Sequence, residues 1–293
     1  MFCFRSYAGQ GLKSGGSVKK MVKSILFFVI FIAMVILYLR HLEFNSLYYP
    51  SKQVLQTPGS LGLDYQDVVF ETRDHKKINA WFISAGKTAP VIYFLHGNGG
   101  NVGDRLSKIV FFHDLRSSVF IIDYRGYGKS TGIPSEQGLY CDALAGYGYL
   151  RNDMKIAPSQ IIVYGESLGG AVAVELASKA SVGGIILEGV FTSVADMAKK
   201  IYPVIPAFFI NSKYDSYSKI KNIEVPKLFI HSRQDEIVPF VFGEKLFKKA
   251  VGPKEFFQAQ GGHNDCFFIQ PDKIKYSVAS FLKRCGFNNS LQS

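Results

Sequence analysis

Residues 165–170 read Gly165-Glu166-Ser167-Leu168-Gly169-Gly170, directly after the apolar run Ile161-Ile162-Val163-Tyr164. A serine flanked by glycine two residues away on each side can sit on a strand-to-helix turn too tight for bulk. Such a turn lifts the hydroxyl off the backbone, and the helix that follows offers free N–H groups and the positive end of a dipole. A hydroxyl is a weak nucleophile at neutral pH, so it needs a base, and the base needs an orienting acid. After Ser167 the histidines are His231 and His263. His231 ends an apolar run, whereas His263 lies in Gly261-Gly262-His263-Asn264-Asp265, a loop able to reach a strand end, and is the expected base. Asp235, after the run Lys227–Ile230, is the expected acid, with Glu188 its rival. Asp265 is too close to His263 in sequence to orient its far nitrogen. Asp123 precedes the serine, the wrong chain order for an elbow nucleophile.

Negative charge developing on a substrate oxygen needs two N–H donors. The backbone of Leu168, next after the serine, is one. Asn98 in His96-Gly97-Asn98-Gly99-Gly100-Asn101 is the other, because the glycines allow a close main-chain approach. That loop lacks the Lys-Ser/Thr ending of a phosphate loop.

These residues need a frame. Apolar runs fall at Val91–Leu95, Val119–Ile122, Ile161–Tyr164, Gly184–Leu187 and Lys227–Ile230, with a weaker one at Glu255–Gln258. Helical patterns occupy 101–114, 136–152, 168–180, 240–250 and 271–285, and a hairpin covers Asp67–Thr72 and Ile78–Ile83. Strands alternating with helices predict an α/β class, a mostly parallel sheet with helices on both faces. The apolar insertion 192–222 breaks the rhythm and reads as a small lid or as a Pro-broken core helix.

The net charge is +11, and five basic residues with no acid stand in the first 23 positions. No basic stripe is interleaved with aromatics, so nucleic acid is not an expected partner. Ile25–Leu39 is an unbroken apolar run of fifteen residues. With its flanks it approaches the roughly 17–25 residues that a membrane helix needs. The small-x-small cleavage site of a secretory signal is missing, so 21–40 reads as an uncleaved signal-anchor in preference to a cleaved signal or a core helix. The basic flank predicts a cytoplasmic N-terminus and a catalytic domain on the far side, in a periplasm, a lumen or the exterior. The expected organisation is a polar tail over 1–20, the anchor, a linker over 41–64, a catalytic domain over 65–286 and a short tail over 287–293. Four cysteines form no CxxC, and their pairing stays open.

Taken in order, Phe94–Asn101, Asp123-Tyr124-Arg125-Gly126-Tyr127-Gly128-Lys129-Ser130, Pro134-Ser135-Glu136, Gly165–Gly170, Phe191-Thr192-Ser193, Asp235–Pro239 and Gly262–Asp265 resemble the small membrane-anchored α/β-hydrolase-domain (ABHD) proteins. The resemblance covers about 65–285. It implies the α/β-hydrolase fold, the triad Ser167, Asp235 and His263, and no metal or organic cofactor. It implies hydrolysis of ester or thioester bonds, with lipids or lipidated proteins among the substrates of some members. Two departures, Ser232 where the family often has Gly and Gly189-Val190 where it often has Asn-Thr, remove no catalytic group and bear on substrate fit. A peptidase of prolyl-peptidase type and a non-catalytic membrane scaffold are the competing expectations.

Overall fold

The computed structural model describes residues 15–203 and 210–287. The chain divides into two units, Met1–Phe44 and Asn45–Ser293. The described part of the first is helical: α1 runs from Gly15 to Leu47, beyond the expected 21–40 at both ends and across the unit boundary. Its stretch Lys19–Leu47 is long and apolar enough to cross a membrane.

In the second unit β1 (Tyr49–Pro50) is followed by β2 (Gln66–Glu71), β3 (Lys77–Ile83), β4 (Val91–Leu95), β5 (Gly99–Gly100) and α2 (Leu106–Asp114). Then come β6 (Ser118–Ile122), α3 (Glu136–Asn152), β7 (Ile161–Glu166), α4 (Leu168–Lys179), β8 (Gly184–Glu188), α5 (Val194–Ile201) and α6 (Ser216–Lys219). The chain closes with β9 (Lys227–Ser232), α7 (Phe240–Lys249), β10 (Lys254–Ala259), α8 (Cys266–Ile269) and α9 (Pro271–Arg284).

Eight strands form one sheet in the order β10-β9-β8-β7-β4-β6-β3-β2. The hairpin β2–β3 and the β3–β6 pair are antiparallel and the other pairs are parallel. β4, β6 and β8 are buried along their whole length, as strands covered on both faces must be, so their sequences read as continuous apolar runs. β2 lies at the sheet edge and is largely exposed. One core layer is aromatic: Tyr164 packs edge-on against Phe94 at 4.7 Å and Phe112 at 4.8 Å, and Phe267 meets Phe111 at 4.6 Å. The chain passes from β4 to β6 on one side and then returns across β4 to β7, so a crevice opens at the carboxyl ends of these strands.

The 41–64 segment differs from the expected linker. It lies within the sheet-bearing unit from Asn45 onward, and β1 pairs in parallel with β5. Two-residue strands carry too little pattern to be seen in a sequence. Of the expected lid, α5 is capped by Ser193, whose hydroxyl accepts from the Asp196 amide, and the base of the insertion is closed by Val194 N–H to Lys213 C=O at 2.9 Å. Residues 204–209 of the insertion lie outside the described residues. Cys141, Cys266 and Cys285 are free thiols, the first two buried.

Candidate active site

β7 ends at Glu166 and α4 starts at Leu168, leaving Ser167 alone on the turn with φ 52° and ψ −116°. A positive φ is uncommon for a side chain with a Cβ and costs about 1–3 kcal/mol, so the surrounding packing must hold it. The glycines do this. A methyl on Gly165 would meet Gly169 O and the Gly170 Cα at 2.6 Å. A methyl on Gly169 would fall onto the carbonyl oxygen of Leu95. The turn is thus pressed against the end of β4, where the loop His96–Asn101 begins. As the first residue of α4, Leu168 has no intrahelical acceptor for its N–H.

The Ser167 amide donates to Glu188 C=O at 2.8 Å. The next residue, Gly189, carries the imidazole of His263: a methyl there would lie 2.9 Å from its Cε1 and 3.5 Å from Asp235 Oδ2. His263 Nδ1 and Asp235 Oδ2 are 2.7 Å apart. The two carboxylate oxygens divide their work, since Oδ1 accepts from the amides of Ile237 at 3.0 Å and Val238 at 2.7 Å. The structure therefore pairs His263 with Asp235 beyond the ends of β10 and β9, and sets Ser167 beyond the end of β7, with β8 and its Gly189 between them.

Burial would push the Asp235 carboxyl up. Hydrogen bonding to His231 and His263, the charge of His263 and the Val238 amide outweigh it and hold the group well below the usual carboxylate range. For His263 burial works downward, and the Asp235 bond and charge, with smaller help from Glu188 and Glu166, carry the pKa above its ordinary value.

The rivals have other employment. His231 is buried, with Nε2 3.0 Å from Val238 O and 3.4 Å from Asp235 Oδ2, so it lies against Asp235. Both carboxylate oxygens of Glu188 accept from Lys108 Nζ at 2.9 Å, and the group accepts further from the Tyr164 hydroxyl and the Cys266 thiol. Asp265 caps α8. Asp123 lies under the loop after β4, accepting from the Val102 amide at 2.9 Å.

The Asn98 loop is held in detail. His96 is wholly buried, and burial drives its pKa down to about 3, so the ring is neutral. Its Nδ1–H donates to Gly97 O at 2.7 Å. In a trans peptide that turns the N–H of Asn98 to the opposite side, and among the described residues this N–H has no acceptor. Glu166 fills the space beneath, near Gly97, and is held ionised against its burial by Lys108 and Arg105.

Three contacts were invisible in the sequence. Glu236 Oε2 accepts from the His263 amide at 3.0 Å, Ser232 Oγ donates to Gly261 O at 2.5 Å, and Gln234 Oε1 accepts from the Gly261 amide at 2.8 Å. Together they pin the histidine loop to the β9–α7 loop. Their only trace was proximity to Asp235, and no periodicity marks a loop-to-loop bond. Ser232, one of the two departures, is among them. Gly189, in the other, stands where a Cβ would crowd the histidine.

The sequence profile described as "Alpha/beta hydrolase family" matches residues 92–212. The chain is 35% identical to the Arabidopsis thaliana alpha/beta hydrolase domain-containing protein WAV2 over 69% of this chain and 71% of that protein. It is 34% identical to the uncharacterized membrane protein YNL320W of Saccharomyces cerevisiae, covering 83% of this chain and 90% of the relative. Among solved structures, the Pyrococcus furiosus esterase Pf2001 superposes with a TM-score of 0.69 at 22% identity, covering 80% of this chain and 98% of that one.

Proposed function

The chain belongs to the alpha/beta hydrolase family, and from that premise we propose that it is a membrane-anchored serine hydrolase of carboxylic esters or thioesters, acting through an acyl-enzyme on Ser167. The observation that carries this reading is the His263–Asp235 pair, bonded at 2.7 Å and set over Gly189, one residue beyond the carbonyl that holds the Ser167 amide.

In this mechanism Ser167 Oγ attacks the acyl carbon while His263 Nε2 takes its proton. Asp235 fixes the tautomer and stabilises the imidazolium. The tetrahedral oxyanion is met by the N–H groups of Leu168 and Asn98. Collapse expels an alcohol or thiol, which receives the proton from His263. Water, deprotonated by the same ring, then releases the acid.

A lipid-like acyl group is the favoured substrate. α1 would hold the domain at a bilayer, with the basic tail cytoplasmic and the catalytic domain across the membrane. The apolar insertion 192–222 would act as a lid over the acyl chain. The membrane label of the yeast relative and the esterase name of the archaeal structure agree with this reading.

A panel of p-nitrophenyl esters of rising chain length, run beside aminoacyl p-nitroanilides, tests it. Ester turnover exceeding anilide turnover by at least about 100-fold, and abolished by a fluorophosphonate probe, is expected. Preferential anilide cleavage would point to a peptidase, and no turnover with no labelling would sink the reading.

The pH profile supplies a second check. The base works only as neutral imidazole, so kcat/KM falls as pH drops through the His263 pKa. Since that pKa is raised, the acid limb should have its midpoint above 6.5, the ordinary value. A midpoint below 6.5 would show that the Asp235 bond does not act on the base as described.

A further inference from the structure

Four successive carbonyls of the loop after β4 are each held by a donor. Gly97 O takes His96 Nδ1, and Gly99 O takes Arg105 Nη2 at 2.7 Å. Asn98 O takes the Tyr127 hydroxyl at 2.8 Å and the Tyr49 amide at 3.0 Å. Gly100 O takes the Ser51 amide at 3.0 Å. Two of these donors, Tyr49 and Ser51, belong to the segment that leaves α1 at Leu47. The same segment ties down other parts of the crevice. Ser51 O accepts from the Gly128 amide at 2.8 Å, and Lys52 Nζ donates to Ser130 O at 3.0 Å. The buried hydroxyls of Tyr48 and Tyr214 meet at 2.8 Å, joining it to the 192–222 insertion.

We infer that residues 48–53 are a positioning strap for the oxyanion hole: by bonding Asn98 O and Gly100 O, the strap fixes the peptides that follow the one carrying the Asn98 N–H, and through them holds that N–H on the reacting oxygen. The inference rests on the reading of Asn98 as an oxyanion donor. The physical case is that this loop has two adjacent glycines, Gly99 and Gly100, and a glycine backbone loses more conformational freedom on ordering than any other. Gly100 has φ +77°, a conformation that few other residues adopt. Side-chain donors reach Gly97, Asn98 and Gly99. The register of the loop along its length is set by main-chain bonds to β1, pairing Tyr49 with Gly99 and Pro50 with Gly100. The strap is therefore the element that joins the apolar helix to the catalytic machinery. Tyr49, Ser51 and Tyr127 are positioning residues, since none touches the substrate in this scheme.

The test uses the full-length protein in detergent. Tyr49→Pro deletes the N–H that bonds Asn98 O, while Tyr49→Phe keeps it. Removing an oxyanion donor outright lowers kcat by about 10²–10³, so a misaimed donor should cost about tenfold. Tyr49→Pro is expected to lower kcat on p-nitrophenyl butyrate about tenfold with KM within about twofold, while Tyr49→Phe matches wild type. Affinity for an alkyl boronic acid, which forms a tetrahedral adduct on the serine, should fall by the same factor as kcat. Ser51→Pro, which removes the Gly100 bond together with an exposed hydroxyl contact to Gln53 O, serves as the second variant should Tyr49→Pro lose its cooperative melt, with an expected loss of about threefold. Unchanged kcat and boronate affinity in a cooperatively melting proline variant would overturn the strap. An equal loss in Tyr49→Phe would do so too, by assigning the effect to the side chain. A Ser167→Ala control separates the two levels: if it retains activity, the reading of the site fails whatever the strap does.

Discussion

Replacing Ser167 with alanine is expected to abolish fluorophosphonate labelling and lower kcat on p-nitrophenyl esters by at least about 10⁴-fold, with little change in KM. The size follows from what remains. Without the hydroxyl no acyl-enzyme forms, and His263 and the two N–H donors are left with a water they were not arranged to orient. Removal of a triad serine in other hydrolases leaves only the residual acceleration from binding and the oxyanion hole. Alanine keeps the Cβ, so the strained φ of 52° stays and stability should change little. Glycine at the same position removes the Cβ that makes this conformation costly. Ser167→Gly should therefore be as inactive as Ser167→Ala yet more stable than it by about 1 kcal/mol, measured by chemical denaturation. Labelling that persists in Ser167→Ala would reject the nucleophile. A glycine variant less stable than the alanine variant would reject the strain.

The parts of this site that the sequence revealed are those whose physics is local. Gly165–Gly170 follows a buried apolar strand and opens a helix, so the elbow is visible as a change of period. Asp235 and Gly262-His263 stand just beyond the apolar runs of β9 and β10, and strand ends are where an open sheet gathers its chemistry. The sheet was legible for the same reason, because parallel strands buried on both faces read as unbroken apolar runs. What stayed hidden depends on contacts between distant segments. The pairing of Tyr49 with Gly99 joins residues fifty positions apart through main-chain atoms alone, and main-chain atoms are the same in every residue. Lys108 beneath Glu166 and Glu188 is equally silent, since a lysine in an amphipathic helix is ordinarily a solvated one. Its burial follows only when the neighbouring carboxylates of β7 and β8 are placed above it. His231 shows a third cause. Its position at a strand end made it a competitor for the role of base, and only the path of the β9–α7 loop brings Val238 O to within 3.0 Å of its Nε2.

Gly169→Ala is expected to be the most damaging single-methyl change in the sheet-bearing unit. The added carbon would fall onto Leu95 O and lie 2.5 Å from His96 O and 2.6 Å from the Leu95 carbonyl carbon. All three are backbone atoms, so no rotamer change can relieve the clash. Either α4 moves away from β4 or the end of β4 bends. Overpacking in a core typically costs about 1–3 kcal/mol, and here the obstacle is main chain on both sides. A destabilisation of at least about 3 kcal/mol follows, which for a unit of this size is about 6–12 °C in Tm. Activity should fall further than stability, by at least about 100-fold in kcat, because the clash separates the two elements that carry the proposed oxyanion donors: Leu168 at the start of α4 and Asn98 just beyond β4. Gly99→Ala is the matched control. It lies in the segment just beyond β4, but a methyl there meets no atom within 4 Å, so its Tm should stay within about 2 °C of wild type. A Gly169→Ala protein that melts with the wild type would mean that the elbow does not rest on β4, and with that the geometric case for a shared oxyanion hole would fail.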